Sequence, residues 1–167
     1  MKQMTQENLK AAFAGESQAH MRYLIFAQAA EKEGKTNIAR LFRAIAFAEQ
    51  VHAGNHLREL GGIKDTVGNS EQAIAGEEFE VAEMYPAYNA VAELQGETGA
   101  QRSIHFAIEA EKVHAEMYKK AKEAARAGKD MDLGTVYICS VCGYTLEEEA
   151  PEYCPVCGAA REKFISF

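Results

Sequence analysis

The sequence predicts an all-α four-helix bundle followed by a small β/loop domain that holds a metal ion through cysteines. Three observations carry this. Apolar residues recur at helical spacing from Thr5 to about Arg126 with few breaks. Glutamates interrupt those apolar stripes at matching heights. All four cysteines fall after Tyr137, in two C-x2-C pairs. The expected division is a helical domain over residues 1–130 and a cysteine domain over 131–167.

The first stripe reads Leu9, Phe13, Glu16, His20, Tyr23, Ala27. Gly34 stands where a helix-terminating residue belongs, and Thr36 is placed to cap the next helix. The second stripe reads Ile38, Leu41, Ile45, Glu49, His52 and stops at Gly61-Gly62. The polar segment from Ile63 to Gly76 reads as a loop. It is long enough to cross a bundle, since some ten extended residues reach about 33 Å. The third stripe is Glu80, Glu83, Ala87, Val91, Leu94, with Pro86 expected to kink its helix. Thr98-x-x-Gln101 has the form of a capping box opening the fourth helix, whose stripe is Ile104, Ile108, Glu111, His114, Tyr118. Gly15 and Gly54, inside helices, suggest close packing near the glutamates.

Glu16, Glu49, Glu80, Glu83 and Glu111 occupy positions where Leu or Ile belongs. A buried carboxylate is costly unless it is paired or binds a metal. Glu16 and Glu49 flank the turn at Gly34, and Glu80 and Glu111 flank the turn near Gly96, so each pair meets at one height in an antiparallel hairpin. Each half ends in the same motif, Glu49-Gln-Val-His52 and Glu111-Lys-Val-His114. At i, i+3 the carboxylate and imidazole leave one helix face together. Two glutamates from two helices plus two Glu-x-x-His motifs are the ligand inventory of ferritin-like di-metal proteins. Mixed carboxylate and imidazole donors suit iron or manganese. Glu83, one turn from Glu80, reads either as a surface residue or as an extra ligand. In the second case one iron could choose between it and His52 according to its oxidation state.

Cys139-Ser-Val-Cys142 and Cys154-Pro-Val-Cys157 form two knuckles of one four-thiolate site. Zinc and iron both accept that arrangement. Tyr137, Tyr144, Tyr153, Phe164 and Phe167 can shield the site, and it is attached to a domain that needs electrons. Both favour iron. The segment is too short for an apolar core of its own, so a metal would hold it folded.

The net charge of −7 across 167 residues disfavours nucleic acid and anionic membranes as partners. No stretch approaches the ~20 apolar residues that span a bilayer, and the N-terminus lacks a signal-peptide pattern. Paired cysteines suit metal binding in a reducing cytoplasm. No glycine-rich dinucleotide motif occurs, so NAD(P)H is expected to act through a separate reductase.

Gly15-Glu16-Ser-Gln-Ala-His-Met-Arg-Tyr23, Glu49-x-x-His52, Glu80-x-x-Glu83 and Glu111-x-x-His114, followed by the cysteine pairs, resemble the rubrerythrin family over nearly the whole chain; the tail is similar to rubredoxin. The resemblance implies Glu16 and Glu80 as terminal ligands of two irons, Glu49 and Glu111 as bridges, and His52 and His114 as terminal nitrogen ligands. It implies Glu83 as the glutamate that exchanges with His52, and Cys139, Cys142, Cys154 and Cys157 as ligands of a third iron. Tyr23 and Tyr88 match tyrosines standing behind the family's ligands, though their spacing fits plain core residues equally. His20, His56 and His105 match no ligand and read as packing or surface residues. The implied activity is a non-haem iron peroxidase reducing hydrogen peroxide to water in oxidative-stress defence. Its electrons would pass through the cysteine-held iron from an external donor, rubredoxin or a reductase. A ferroxidase or iron-handling protein is the alternative. The implied assembly is a homodimer, with helix exchange as one form of it, placing one subunit's cysteine iron near the other's di-iron site.

Overall fold

The computed structural model describes all 167 residues. It holds four long helical stretches and a small three-stranded sheet, divided into two compact units, Met1–Lys64 and Asp65–Phe167. No helix is long and apolar enough to cross a membrane.

The first unit is a hairpin of α1 (Gln3–Lys32) and α2 (Thr36–Glu59). Gly34 ends α1 as its position predicts: its N–H bonds to the Glu31 carbonyl and the Lys35 N–H to that of Ala30, so the chain turns in a few residues. Thr36 is the first residue of α2 and provides no side-chain cap. The seam between the helices is made of small residues. Ala27, Ala39 and Ala46 are fully buried, and Ala30 and Ala53 nearly so. Ala39, Ala46 and Ala53 recur every seven residues, which keeps them on one side of α2. The larger apolar residues of the predicted second stripe do not face this seam: Ile38 and Ile45 are exposed, and Leu41 is 60% exposed. Periodicity found the apolar face of α2, but the alanine face carries the hairpin contact, because small side chains let two backbones approach closely. Gly15 has open space where a Cβ would stand, so the close packing expected there is absent.

The second unit opens with α3 (Thr66–Phe79), where a loop was expected. Asp65 accepts a bond from the Gly68 N–H at 2.8 Å, the Ser70 hydroxyl folds back onto the Thr66 carbonyl, and Ile74 is buried. A capped start and a buried anchor make a helix of this glycine-containing polar segment. The connection from α2 is therefore only Leu60–Asp65. A π-helical turn, Glu80–Met84, then leads into α4 (Tyr85–Gln95). Here the Tyr85 N–H bonds to the Glu80 carbonyl, five residues back. The expected disturbance by Pro86 takes this form. Proline has no N–H to continue the α ladder, and the wide turn absorbs the break.

α5 (Thr98–Arg126) packs against α3, the π turn and α4. The capping box does not form. Thr98 is already helical, and the Gln101 amide donates instead to the Ala92 carbonyl at the end of α4. After a short linker come β1 (Val136–Cys139), β2 (Thr145–Glu147) and β3 (Phe164–Ser166), antiparallel in the order β2-β1-β3.

Candidate metal centres

The two cysteine knuckles are built alike. Gly143 N–H bonds to the Cys139 carbonyl and Gly158 N–H to that of Cys154, while Cys139 and Cys154 donate to the carbonyls of Tyr144 and Ala159. Both glycines take positive φ, +81° and +73°, a conformation the turn requires and a side chain would strain. The result aims four sulfurs at one point. Cys139 Sγ lies 3.6 Å from Cys157 Sγ, and Cys142 Sγ lies 3.6 Å from Cys154 Sγ. That is far beyond a disulfide. It is close to the edge of about 3.8 Å set by a tetrahedron with metal–sulfur bonds of about 2.3 Å. Burial pushes the Cys142 thiol strongly up and the Cys157 thiol up, and a bound cation would displace their protons. The donor set fits the iron that the sequence assigns to it. Of the expected shielding aromatics, Tyr144 and Phe164 pack on the cluster, joined by Phe106 from α5. Tyr153 and Phe167 are exposed.

Each helical unit brings three further ligands together. In the first, Glu16, Glu49 and His52 converge, with His52 Nδ1 2.9 Å from Glu49 Oε2 and 3.9 Å from Glu16 Oε1. In the second, Glu111 and His114 converge with Glu77, not with Glu80. His114 Nδ1 lies 2.6 Å from Glu111 Oε2 and 4.0 Å from Glu77 Oε1. The Glu-x-x-His motifs thus do what their spacing predicts, and the third carboxylate of the second set is a residue the periodicity passed over. The reason is the π turn. Counting helical turns back from Ala87 through Glu83 and Glu80 assumes a regular period across a segment that holds an extra residue per turn. A better signal was the internal repeat. Glu49 follows Glu16 by 33 positions and Glu111 follows Glu77 by 34, whereas it follows Glu80 by only 31.

The electrostatics mark the same residues. Burial, then the hydrogen bond and charge of Glu111 and the charge of Glu80, push the Glu77 carboxyl up to about 7. Burial and Glu111 raise Glu80 as well. A carboxyl crowded until it holds its proton near neutrality, as Glu77 is, marks a site that a cation relieves. Glu80 thus lies beside the second set, in the field of Glu111. The tyrosine that feels this cluster is Tyr85, raised by burial and then by Glu80, Glu111 and Glu77. Tyr88 is exposed and meets Tyr85 edge-on at 6.4 Å. Tyr23 packs with Phe26 and Phe42 in the first unit. His20 Nδ1 contacts the Ala46 carbonyl at 2.8 Å, a packing role as expected.

The rubrerythrin family model matches residues 7–122, and the rubredoxin-like domain of rubrerythrin matches residues 137–165. The chain belongs to the rubrerythrin family. Rubrerythrin-2 of Clostridium acetobutylicum is 43% identical over 98% of this chain and 97% of its own length. Nigerythrin of Nitratidesulfovibrio vulgaris is 37% identical over 98% of this chain and 86% of its own. A solved structure of nigerythrin in a partially reduced state matches with a TM-score of 0.57 at 35% identity, covering 98% of this chain and 86% of the other. Membership places the chain among iron-binding oxidoreductases with a di-iron site of carboxylate and histidine ligands and a four-cysteine site. The four sulfurs and the two Glu–Glu–His sets are groups of donors of the kinds such sites use.

Proposed function

We propose that this rubrerythrin reduces hydrogen peroxide to water in the cytoplasm, as a defence against oxidative stress, and draws its electrons through the cysteine-held iron from an external donor. The observation that carries this reading is the presence of a Glu–Glu–His set and a four-sulfur site within one compact unit, joined through His114 and Thr145 at 2.8 Å. Storage or simple oxidation of iron gives the cysteine site no task, whereas a peroxidase needs its electrons replaced after each turnover.

Glu16, Glu49 and His52 of the first unit, and Glu77, Glu111 and His114 of the second, are the residues available to hold the two irons. Glu80, next to the second set, and Glu83, given the exchange role by the resemblance, are the further carboxylates available to the centre. When bound, the two irons supply the electron pair that cleaves the O–O bond. Tyr85 stands in the field of the same glutamates and, with its phenol raised by burial and their charge, keeps its proton at neutral pH. The cleft lined by His114, Met117, Tyr118, Ile138 and Thr145, about 360 Å³, lies on the side of His114 that faces β2.

The working form is a homodimer. Ile25, Ile38, Leu41 and Phe47 of the first unit, and Val91 and Leu94 of the second, are left exposed by seams made of alanine. Apolar faces of this kind mark association surfaces. Sedimentation of the iron-loaded protein is expected to give a dimer at micromolar concentration, and a monomer would remove this part of the reading.

The test of function is stopped-flow oxidation of fully reduced, iron-loaded protein by hydrogen peroxide and, separately, by dioxygen, with metal analysis of the same sample. Fast oxidation by peroxide, slow oxidation by dioxygen and about three irons per chain support the peroxidase. Faster reaction with dioxygen would assign the protein to iron oxidation instead.

A further inference from the structure

Thr145, the first residue of β2, is 3% exposed, and its hydroxyl makes two contacts. It donates to the Gly143 carbonyl at 3.0 Å, and it lies 2.8 Å from His114 Nε2. A hydroxyl has a single proton, and a carbonyl has none to give. The proton of Thr145 is therefore committed to Gly143, and its oxygen must accept from His114. That places a hydrogen on Nε2 and leaves Nδ1 as the ring nitrogen available to a metal. Nδ1 is the nitrogen that faces Glu111 Oε2 at 2.6 Å and Glu77 Oε1 at 4.0 Å. In the metal-free chain that 2.6 Å contact is a hydrogen bond, and a metal at Nδ1 would take the place of its proton.

Thr145 is held by the cysteine site, not by the helices. Gly143 follows Cys142 and closes the first knuckle, and the Tyr144 carbonyl receives the Cys139 N–H. Phe106 of α5 packs on the same cysteine cluster, so the knuckle is seated on the helix that carries His114. His52 is less confined, its side chain 53% exposed against 30% for His114.

We propose that Thr145 is a positioning residue: through its hydroxyl the folded cysteine knuckle holds the His114 ring in the tautomer and orientation that present Nδ1 to a metal at Glu77 and Glu111. The proposal rests on the reading that this set binds iron. A histidine ligand whose outer nitrogen is bonded gains fixed orientation and basicity, and removing such a partner typically weakens the site about 10- to 100-fold.

The experiment compares the full-length protein with Thr145→Val, which keeps the shape and loses the acceptor, and Thr145→Ser, which keeps the hydroxyl. In the zinc-loaded chains, NMR is expected to show a slowly exchanging His114 Nε2–H in the wild type and T145S, and a rapidly exchanging one in T145V. Ferrous binding at the helical sites should weaken by about 10-fold in T145V and recover in T145S. The visible absorbance of the iron-loaded cysteine site should stay the same in all three. A rapidly exchanging Nε2–H in the wild type overturns the proposal, and so does wild-type ferrous affinity in T145V. Should T145V lose the cysteine-site absorbance, the wild-type proton and the serine variant decide. A protected Nε2–H in a chain that takes no metal at Glu77, Glu111 and His114 would leave the Thr145 bond standing and sink the iron reading itself.

Discussion

Glu111→Gln is expected to slow oxidation of the reduced protein by hydrogen peroxide by more than about 100-fold, since even groups behind a metal ligand are worth about 10- to 100-fold. Glutamine has the same size and keeps one acceptor oxygen, so the hairpin of α3 to α5 should fold as before. What disappears is the charge at the centre of the second ligand set. Glu111 lies against His114 Nδ1, shares a hydrogen bond with Glu77, and raises Glu80 and Tyr85 by its field. A second effect, of opposite sense, accompanies the loss. In metal-free protein the Glu77 carboxyl should titrate below the wild-type value of about 7, because the charge of its partner is gone while burial and the charge of Glu80 still raise it. Carbon-detected NMR titration of the metal-free chains reads this directly. Wild-type iron content with a peroxide rate within a few-fold of wild type would show that Glu111 is not a ligand.

Cys154→Ala is expected to unfold residues 136–167 while leaving the helices intact. Apart from the cysteines, that segment buries little, and Cys139, Cys142 and Cys154 are themselves the centre of its only apolar cluster. Metal-bound thiolates supply apparent folding free energy of about 10–16 kcal/mol in small zinc domains, so no rearrangement of nearby side chains can compensate for a lost ligand. Amide signals of the three strands should collapse to random-coil positions, with helical circular dichroism almost unchanged. Turnover driven by an external donor should fall to background, while a chemically pre-reduced sample still reacts with peroxide in a single round. With the strands melted, His114 also loses Thr145, so ferrous iron should bind the helical sites about 10-fold more weakly. Dispersed amides and unchanged donor-driven turnover in C154A would refute both the metal-held fold and the electron route.

Sequence periodicity alone determined a good deal of this protein. It located four helical stretches, the hairpin turn at Gly34 and the cysteine knuckles, because each depends on local rules: helix period, the left-handed turn and ligand spacing. It also picked out the Glu49–His52 and Glu111–His114 pairs that meet in the structure, since an i, i+3 pair on a regular helix has only one geometry. Tertiary structure alone decided the rest. The helix from Thr66 was hidden by its glycines and polar residues, and it exists because Asp65 caps it and Ile74 finds a buried place. Glu77 was hidden by a π turn, whose extra residue breaks the count on which a helical stripe depends. That alanines and not leucines form the seam of α1 and α2 is a matter of which faces meet, and a hydrophobic stripe does not say what covers it. Phe106 and Thr145 lie far in sequence from the ligands they meet, and no local spacing links them. Contacts between distant segments follow from how the chain packs, so only the folded structure discloses that the cysteine knuckle reaches the histidine of the helical site.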